Sequence, residues 1–154
     1  MTMSPRPDTR GVIERIGASD RHEFGDFFIS RLLGLRIEYP NKGCDVTFEV
    51  TPEFTNPVGT LHGGILATAI DISMGHLLFK THASPAATLE MKIQYLAPAL
   101  VGELVVCRAS FLRAGKSINF VRSEARNAST EALYAFATAT WKATKPSGNE
   151  GEQS

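Results

Sequence analysis

Cysteine is scarce in this chain of 154 residues, which has only Cys44 and Cys107. Two cysteines do not make a disulfide framework, so the expected state is two reduced thiols in a cytoplasmic protein. Net charge is missing too. Sixteen basic and sixteen acidic side chains cancel, which removes any overall electrostatic reason to bind nucleic acid or an anionic membrane. Nor is there a long apolar run. The best candidate, around Ile65 to Phe79, contains Thr68, Asp71, Ser73 and His76 and is too short to span a bilayer. The first ten residues, M-T-M-S-P-R-P-D-T-R, lack the apolar core of a secretory signal. Several familiar chemistries also lack their motif. Ser73 has no G-x-S-x-G setting. The glycines at 59, 63 and 64 form neither a P-loop nor a dinucleotide fingerprint. His76 and His82 show no metal-ligand spacing with either cysteine, so no metal is expected.

What remains is the composition of one globular domain, 43% hydrophobic and 21% charged, with enough length for a sizeable core. Residues 1–18 are polar and Pro-bearing and read as a loose arm. The pattern F-x-x-F-F-I-x-x-L-L within Asp20 to Leu33 predicts a short amphipathic helix packing Phe24, Phe28 and Leu32, with Gly34 ending it. Leu35 to Tyr39 and Asp45 to Val50 alternate on either side of Pro40-Asn41-Lys42-Gly43, a β-hairpin pattern. A long helix follows, reaching about Lys80. Apolar residues surround it, which marks burial on most sides. Gly64, Thr68, Asp71, Gly75 and Leu78 share one small-sided stripe of it.

Four strands are predicted next, over Thr88 to Leu96, Leu104 to Arg113, Ser117 to Arg126 and Leu133 to Trp141. In the first, Leu89, Met91, Ile93 and Tyr95 alternate with Thr88, Glu90, Lys92 and Gln94. In the last, Leu133, Ala135, Ala137, Ala139 and Trp141 share a face whose alanines leave room for a thick helix. The tail, 144–154, is compositionally disordered, and 19–143 read as a single domain. Runs of strands around one helix argue for an antiparallel α+β architecture.

The densest signal is Asn56 to Asp71, N-P-V-G-T-L-H-G-G-I-L-A-T-A-I-D. A helix start supplies free N–H groups and the positive end of a dipole. Gly63 and Gly64 present such groups with no side chain in the way. Asp71 is the only carboxylate on the apolar helix that follows, and an unpaired buried acid is costly, so a chain that keeps one there is expected to use it. It lies about 11–12 Å along the axis from Gly63, too far for both to hold one carbonyl within one chain. His62 is a candidate for acid–base work or for fixing the loop. Nine residues separate it from Asp71, on opposite sides of a helix, which disfavours a His–Asp dyad in one chain.

The motif and the element order together resemble the hotdog-fold acyl-CoA thioesterases, in the branch of the phenylacetate-degradation enzymes and their animal relatives. The stretch A-A-T-L-E-M-K-I-Q-Y-L-A-P-A is similar to that branch too, and the likeness covers roughly Phe24 to Lys142. It implies a long helix wrapped by a curved antiparallel sheet, a homodimer joined edge to edge that can pair again as a dimer of dimers, and sites at the dimer interface. It implies hydrolysis of an acyl-CoA with no cofactor. By resemblance Asp71 is the catalytic general base or nucleophile, and the Gly63 N–H polarises the thioester carbonyl. Asn56 helps hold the carbonyl or water, and Thr88 orients the water. His62 and Gly64 beside that donor, and Arg113, Gly115, Lys116 and Ser117 at a basic turn that also includes Arg122, are expected to contact substrate, the turn through coenzyme A phosphates. Two rival functions share the fold: a non-catalytic acyl-CoA-binding module, and a hydratase or dehydratase acting on enoyl thioesters with His62 as its only histidine candidate.

Overall fold

The computed structural model describes residues 9–17, 24 and 26–143. In chain order these form α1 (Thr9–Ile16), α2 (Phe28–Leu32), β1 (Arg36–Glu38), β2 (Cys44–Glu49), α3 (Gly63–His82), β3 (Ala86–Tyr95), β4 (Leu104–Arg113), β5 (Ile118–Asn127) and β6 (Leu133–Ala143). The six strands make one antiparallel sheet in the order β1-β2-β4-β5-β6-β3. Its inner face packs on α3, the hotdog arrangement that the resemblance implies. No described helix is long and apolar enough to cross a membrane.

The centre of the molecule follows from residue size. Leu66, Ala69, Ile70, Met74, Leu77 and Leu78 of α3 are buried against Val46, Phe48, Val105 and Val121 of the sheet. Ala135, Ala137 and Ala139 leave the space the helix needs, and all three are buried. Trp141 fills the one place where the helix is thin. A Cβ on Gly75 would stand 3.1 Å from the tip of the Trp141 ring. Between helix and sheet a polar pair enters this core, as Ser73 and Ser123 bridge the two with hydroxyls 2.9 Å apart. Cys44 and Cys107 are free and buried, and burial pushes the Cys44 thiol up to about 12.

Three expectations need correction. Within the segment read as a loose arm, Thr9–Ile16 form a helix, while 1–8 and 18 lie outside the described residues, as does the tail 144–154. Of the helix expected over Asp20 to Leu33, the described residues show Phe28–Leu32, while 20–23 and 25 lie outside them. Phe24 lies before that helix and stacks on Phe79 of α3 with centroids 3.8 Å apart. Phe28 is exposed, and Leu33 rather than Leu32 enters the core. Gly34 does end the turn, with φ +60.

The third correction bears on function. Simple alternation puts Thr88 on the opposite face from Met91, Ile93 and Tyr95. In the sheet, Thr88 pairs with Trp141 but Glu90 pairs with Thr140, so Leu89 is an extra residue in a β-bulge. One extra residue reverses the alternation. Thr88 therefore joins Met91, Ile93 and Tyr95 on the face that meets α3. β3 is also an edge strand. Within one chain, its outer side has no strand partner among the described residues.

Candidate active site

The first turn of α3 is where backbone donors are left over. His62 is its N-cap, in extended conformation, and takes up most of them. Its Nδ1 accepts the Gly64 N–H at 2.9 Å. Its carbonyl accepts the N–H groups of Ile65 at 3.0 Å and Leu66 at 3.2 Å. Gly64 is thus no free donor, contrary to the expectation from sequence. Gly63 keeps the one N–H of this turn that has no acceptor among the described residues. An Nδ1 that accepts also fixes the His62 tautomer, with the proton on Nε2. His62 fixes the turn, the second of its two candidate roles.

Asn56 stands beside this turn. Its Oδ1 accepts the Val58 N–H at 3.1 Å and the Thr60 N–H at 3.2 Å, and its Nδ2 donates to Thr60 Oγ1 at 2.9 Å. Two backbone donors on Oδ1 leave no doubt which side-chain atom is the nitrogen. One of the two Nδ2 hydrogens is left for another acceptor. Asn56, Gly63 and Tyr95 line one cavity of about 340 Å³. The sequence marks Tyr95 only as one of the alternating residues of its strand. Its hydroxyl donates to the Gly63 carbonyl at 2.9 Å.

Asp71 sits two turns further along α3, half-buried. Thr88 Oγ1 donates to its Oδ1 at 2.9 Å. Burial raises the carboxyl above its ordinary value, and the Thr88 hydroxyl, by stabilising the charged form, pulls it partly back. Asp71 lines a second cavity, of about 180 Å³, walled by Phe24, Phe27, Ile72, His76 and Trp141. His76 Nδ1 is 2.8 Å from the Tyr39 hydroxyl. Its Nε2, like Trp141 Nε1, is buried without a hydrogen-bond partner among the described residues. Burial lowers the His76 pKa and so favours the neutral ring.

The two cavities have no residue in common. One chain therefore carries an N–H donor beside Asn56 at one place and a hydroxyl-supported acid at another. At about 1.5 Å of rise per residue, eight residues of helix separate Gly63 from Asp71 by about 12 Å.

The basic turn between β4 and β5 lines neither cavity. Arg113 and Lys116 are exposed. Arg122 is already engaged, with Nε donating to Ser110 Oγ at 3.2 Å. The turn is shaped by Asn119, buried and unforeseen from sequence. Its Oδ1 accepts the Gly115 N–H at 3.0 Å and lies 3.1 Å from His82 Nε2 at the end of α3. The Ser117 carbonyl accepts the Ala143 N–H at 2.8 Å. Any side chain on Gly115 would collide with the Ile118 carbonyl. Among the described residues, no group of three His, Cys, Asp or Glu side chains could hold a metal ion.

Comparison with known proteins adds three likenesses to a family match. A family model described as the thioesterase superfamily matches residues 58–133. Human acyl-coenzyme A thioesterase 13 is 40% identical over 88 residues, which cover 56% of this chain and 63% of the human protein. The chain thus spans just under two thirds of that relative's length. A putative esterase of Saccharolobus solfataricus is 37% identical over 115 residues, covering 73% of this chain and 81% of the archaeal protein. Among solved structures, the Escherichia coli PaaI protein from the phenylacetic acid degradation operon superposes with a TM-score of 0.75 at 18% identity. That match covers 88% of this chain and 97% of the other, and is a likeness of fold.

Proposed function

This chain belongs to the thioesterase superfamily, and we propose that it hydrolyses an acyl-CoA thioester to a free acid and coenzyme A. The observation that carries the reading is Asp71: the only carboxylate of α3, half-buried in an apolar cavity and supported by one hydroxyl. In the proposed reaction the thioester carbonyl oxygen accepts from the Gly63 N–H and the remaining Asn56 Nδ2 hydrogen. Charge grows on that oxygen as the carbonyl is attacked, so donors fixed beforehand favour the transition state. Asp71 removes a proton from a water held with the help of Thr88, and that water attacks the carbonyl carbon. The carbon–sulfur bond then breaks, and the proton passes to the departing thiolate. Direct attack by the carboxylate is the alternative course, with water completing hydrolysis of the resulting anhydride.

The two halves of the site come from two copies of the chain in this reading, with Asn56 and Gly63 from one and Asp71 and Thr88 from the other. Their separation along one rigid helix supports it, as does the unpaired edge of β3. The proposed state is a homodimer, with pairing of dimers as its extension, in the cytoplasm. A panel of acyl-CoA esters with a thiol-detecting reagent tests the activity. Tight binding of every ester without thiol release would favour a non-catalytic module. The hydratase reading is the less supported, because its histidine candidate, His62, spends Nδ1 on the helix cap and keeps only Nε2 for chemistry.

Two further outcomes are expected. Thr88→Val removes the bond that offsets burial of the acid. The acid limb of the pH profile should then move to higher pH, and turnover at neutral pH should fall about tenfold. An unmoved limb would detach Thr88 from the acid. Arg113→Ala and Lys116→Ala should raise KM for acyl-CoA more than they lower kcat, because phosphates far from the carbonyl change little in the transition state. A short thioester lacking the nucleotide is the comparison, and equal losses on both substrates would remove the basic turn from the site.

A further inference from the structure

Two consecutive glycines open α3, at the point where helices fray and with the residue that has most backbone freedom to lose. Their shared peptide is nevertheless held at both ends. Its N–H, that of Gly64, donates to His62 Nδ1 at 2.9 Å. Its carbonyl, that of Gly63, accepts from the Tyr95 hydroxyl at 2.9 Å. The Tyr95 ring closes on the same glycine. A Cβ on Gly63 would meet Cζ at 3.3 Å, Cε1 at 3.4 Å and the hydroxyl oxygen at 3.5 Å. Gly63 lacks the positive φ that would call for glycine on backbone grounds. Its missing side chain is therefore the space that Tyr95 occupies.

We propose that Tyr95 is a positioning residue for the thioester reaction, holding Gly63 so that its one unclaimed N–H keeps a single direction at the cavity shared with Asn56. This rests on the reading of Gly63 as the oxyanion donor. The physical need is specific. A donor that must meet charge at the moment it forms gains from being immobile beforehand, and paired glycines at a helix start are poorly suited to immobility. His62 fixes the peptide before Gly63 through its carbonyl, and Tyr95 and His62 together fix the peptide after it. Tyr95 is 53% exposed, so water competes for its hydroxyl and the bond adds little to stability. What the bond restricts is the orientation of one residue. The Leu89 bulge brings Thr88 onto the face of β3 that bears Tyr95. The same strand thereby supports the acid at one end and the donor at the other.

Tyr95→Phe keeps the ring and removes only the donated hydrogen. The expected result is a fall in kcat of about tenfold, with KM within about twofold of wild type and an unchanged melting temperature. Tyr95→Leu, which also removes the ring, should lose kcat further and melt lower. A Tyr95→Phe enzyme with wild-type kcat overturns the proposal. So does one in which kcat, KM and melting temperature all move as in Tyr95→Leu, since that pattern describes packing alone. The second readout is independent of turnover. In Tyr95→Phe the Gly63 carbonyl carbon and Gly64 amide nitrogen resonances should move, while those of Ala137, at the sheet centre, should not. Unmoved glycine resonances overturn the clamp. If wild-type protein hydrolyses no ester in the panel, the thioesterase reading fails on that assay, before any variant is made, and the catalytic purpose of Tyr95 fails with it.

Discussion

Replacing Asp71 by Asn lowers turnover by roughly two to four orders of magnitude if this acid is the general base or nucleophile, and the fold survives. The substitution keeps the size of the side chain and the Thr88 hydrogen bond while removing the charge. Stability should respond in the opposite sense from activity. Burial raises the folded-state pKa of Asp71 above its ordinary value. Between the unfolded and folded pKa values, the folded chain binds a proton that the unfolded chain has released. Stability is therefore lost as pH rises through that window, and the loss is complete above the folded pKa. Asp71→Asn removes the loss, so its melting temperature should match wild type in acid and exceed it at neutral pH. The wild-type profile of kcat/KM should fall as pH drops through the same raised pKa. A variant retaining more than about a tenth of wild-type turnover contradicts the assignment, which predicts at least a hundredfold loss.

Mixing two dead variants should restore activity. Asn56→Ala and Asp71→Asn are unfolded, combined and refolded together. If each site takes Asn56 and Gly63 from one copy and Asp71 and Thr88 from the other, a mixed dimer has one doubly damaged site and one intact site. With random pairing about half the dimers are mixed, so roughly a quarter of all sites recover. If each site lies within one chain, every site keeps a lesion and nothing returns. The experiment needs Asn56→Ala to be nearly inactive. Should it retain activity, Gly63→Pro is the substitute, because it removes the proposed oxyanion N–H. The backbone accepts proline there, since Gly63 is the first residue of α3 and His62 is already extended at φ −64, ψ 129. The Tyr95 ring would have to give by a few tenths of an ångström. No recovery from well-folded, demonstrably exchanged dimers would refute the shared site.

The helix and strands of this fold were legible because each carries its own period. Leu133 to Trp141 alternates, and the long helix is apolar all round between a glycine turn and a basic last turn. Asp71 was legible for the same reason, as a lone charge in an apolar run. What the sequence hid depends on contacts across the fold. The Leu89 bulge has no compositional mark, and only its register against β6 shows that Thr88 turns inward. Gly64 looked like a free donor until His62 was found to cap it. Tyr95, Asn119 and the Tyr39–His76 pair are polar groups whose partners lie far away in sequence. Phe24, expected in a helix, stacks on Phe79 far along the chain.

The strand order carries a consequence in time. β3 is made directly after α3, yet its one neighbour among the described strands is β6, the last of them. Until β6 exists, the strand that bears Thr88 and Tyr95 has nothing to pair with, while the helix that bears Gly63 and Asp71 is already complete. The contacts that support the acid and the donor are close in space but wait on a strand made about forty residues later, the separation of β3 from β6, as non-local pairings do. A nascent chain released before β6 would carry the motif from Asn56 to Asp71 in full and lack the strand pairing that brings Thr88 and Tyr95 to it.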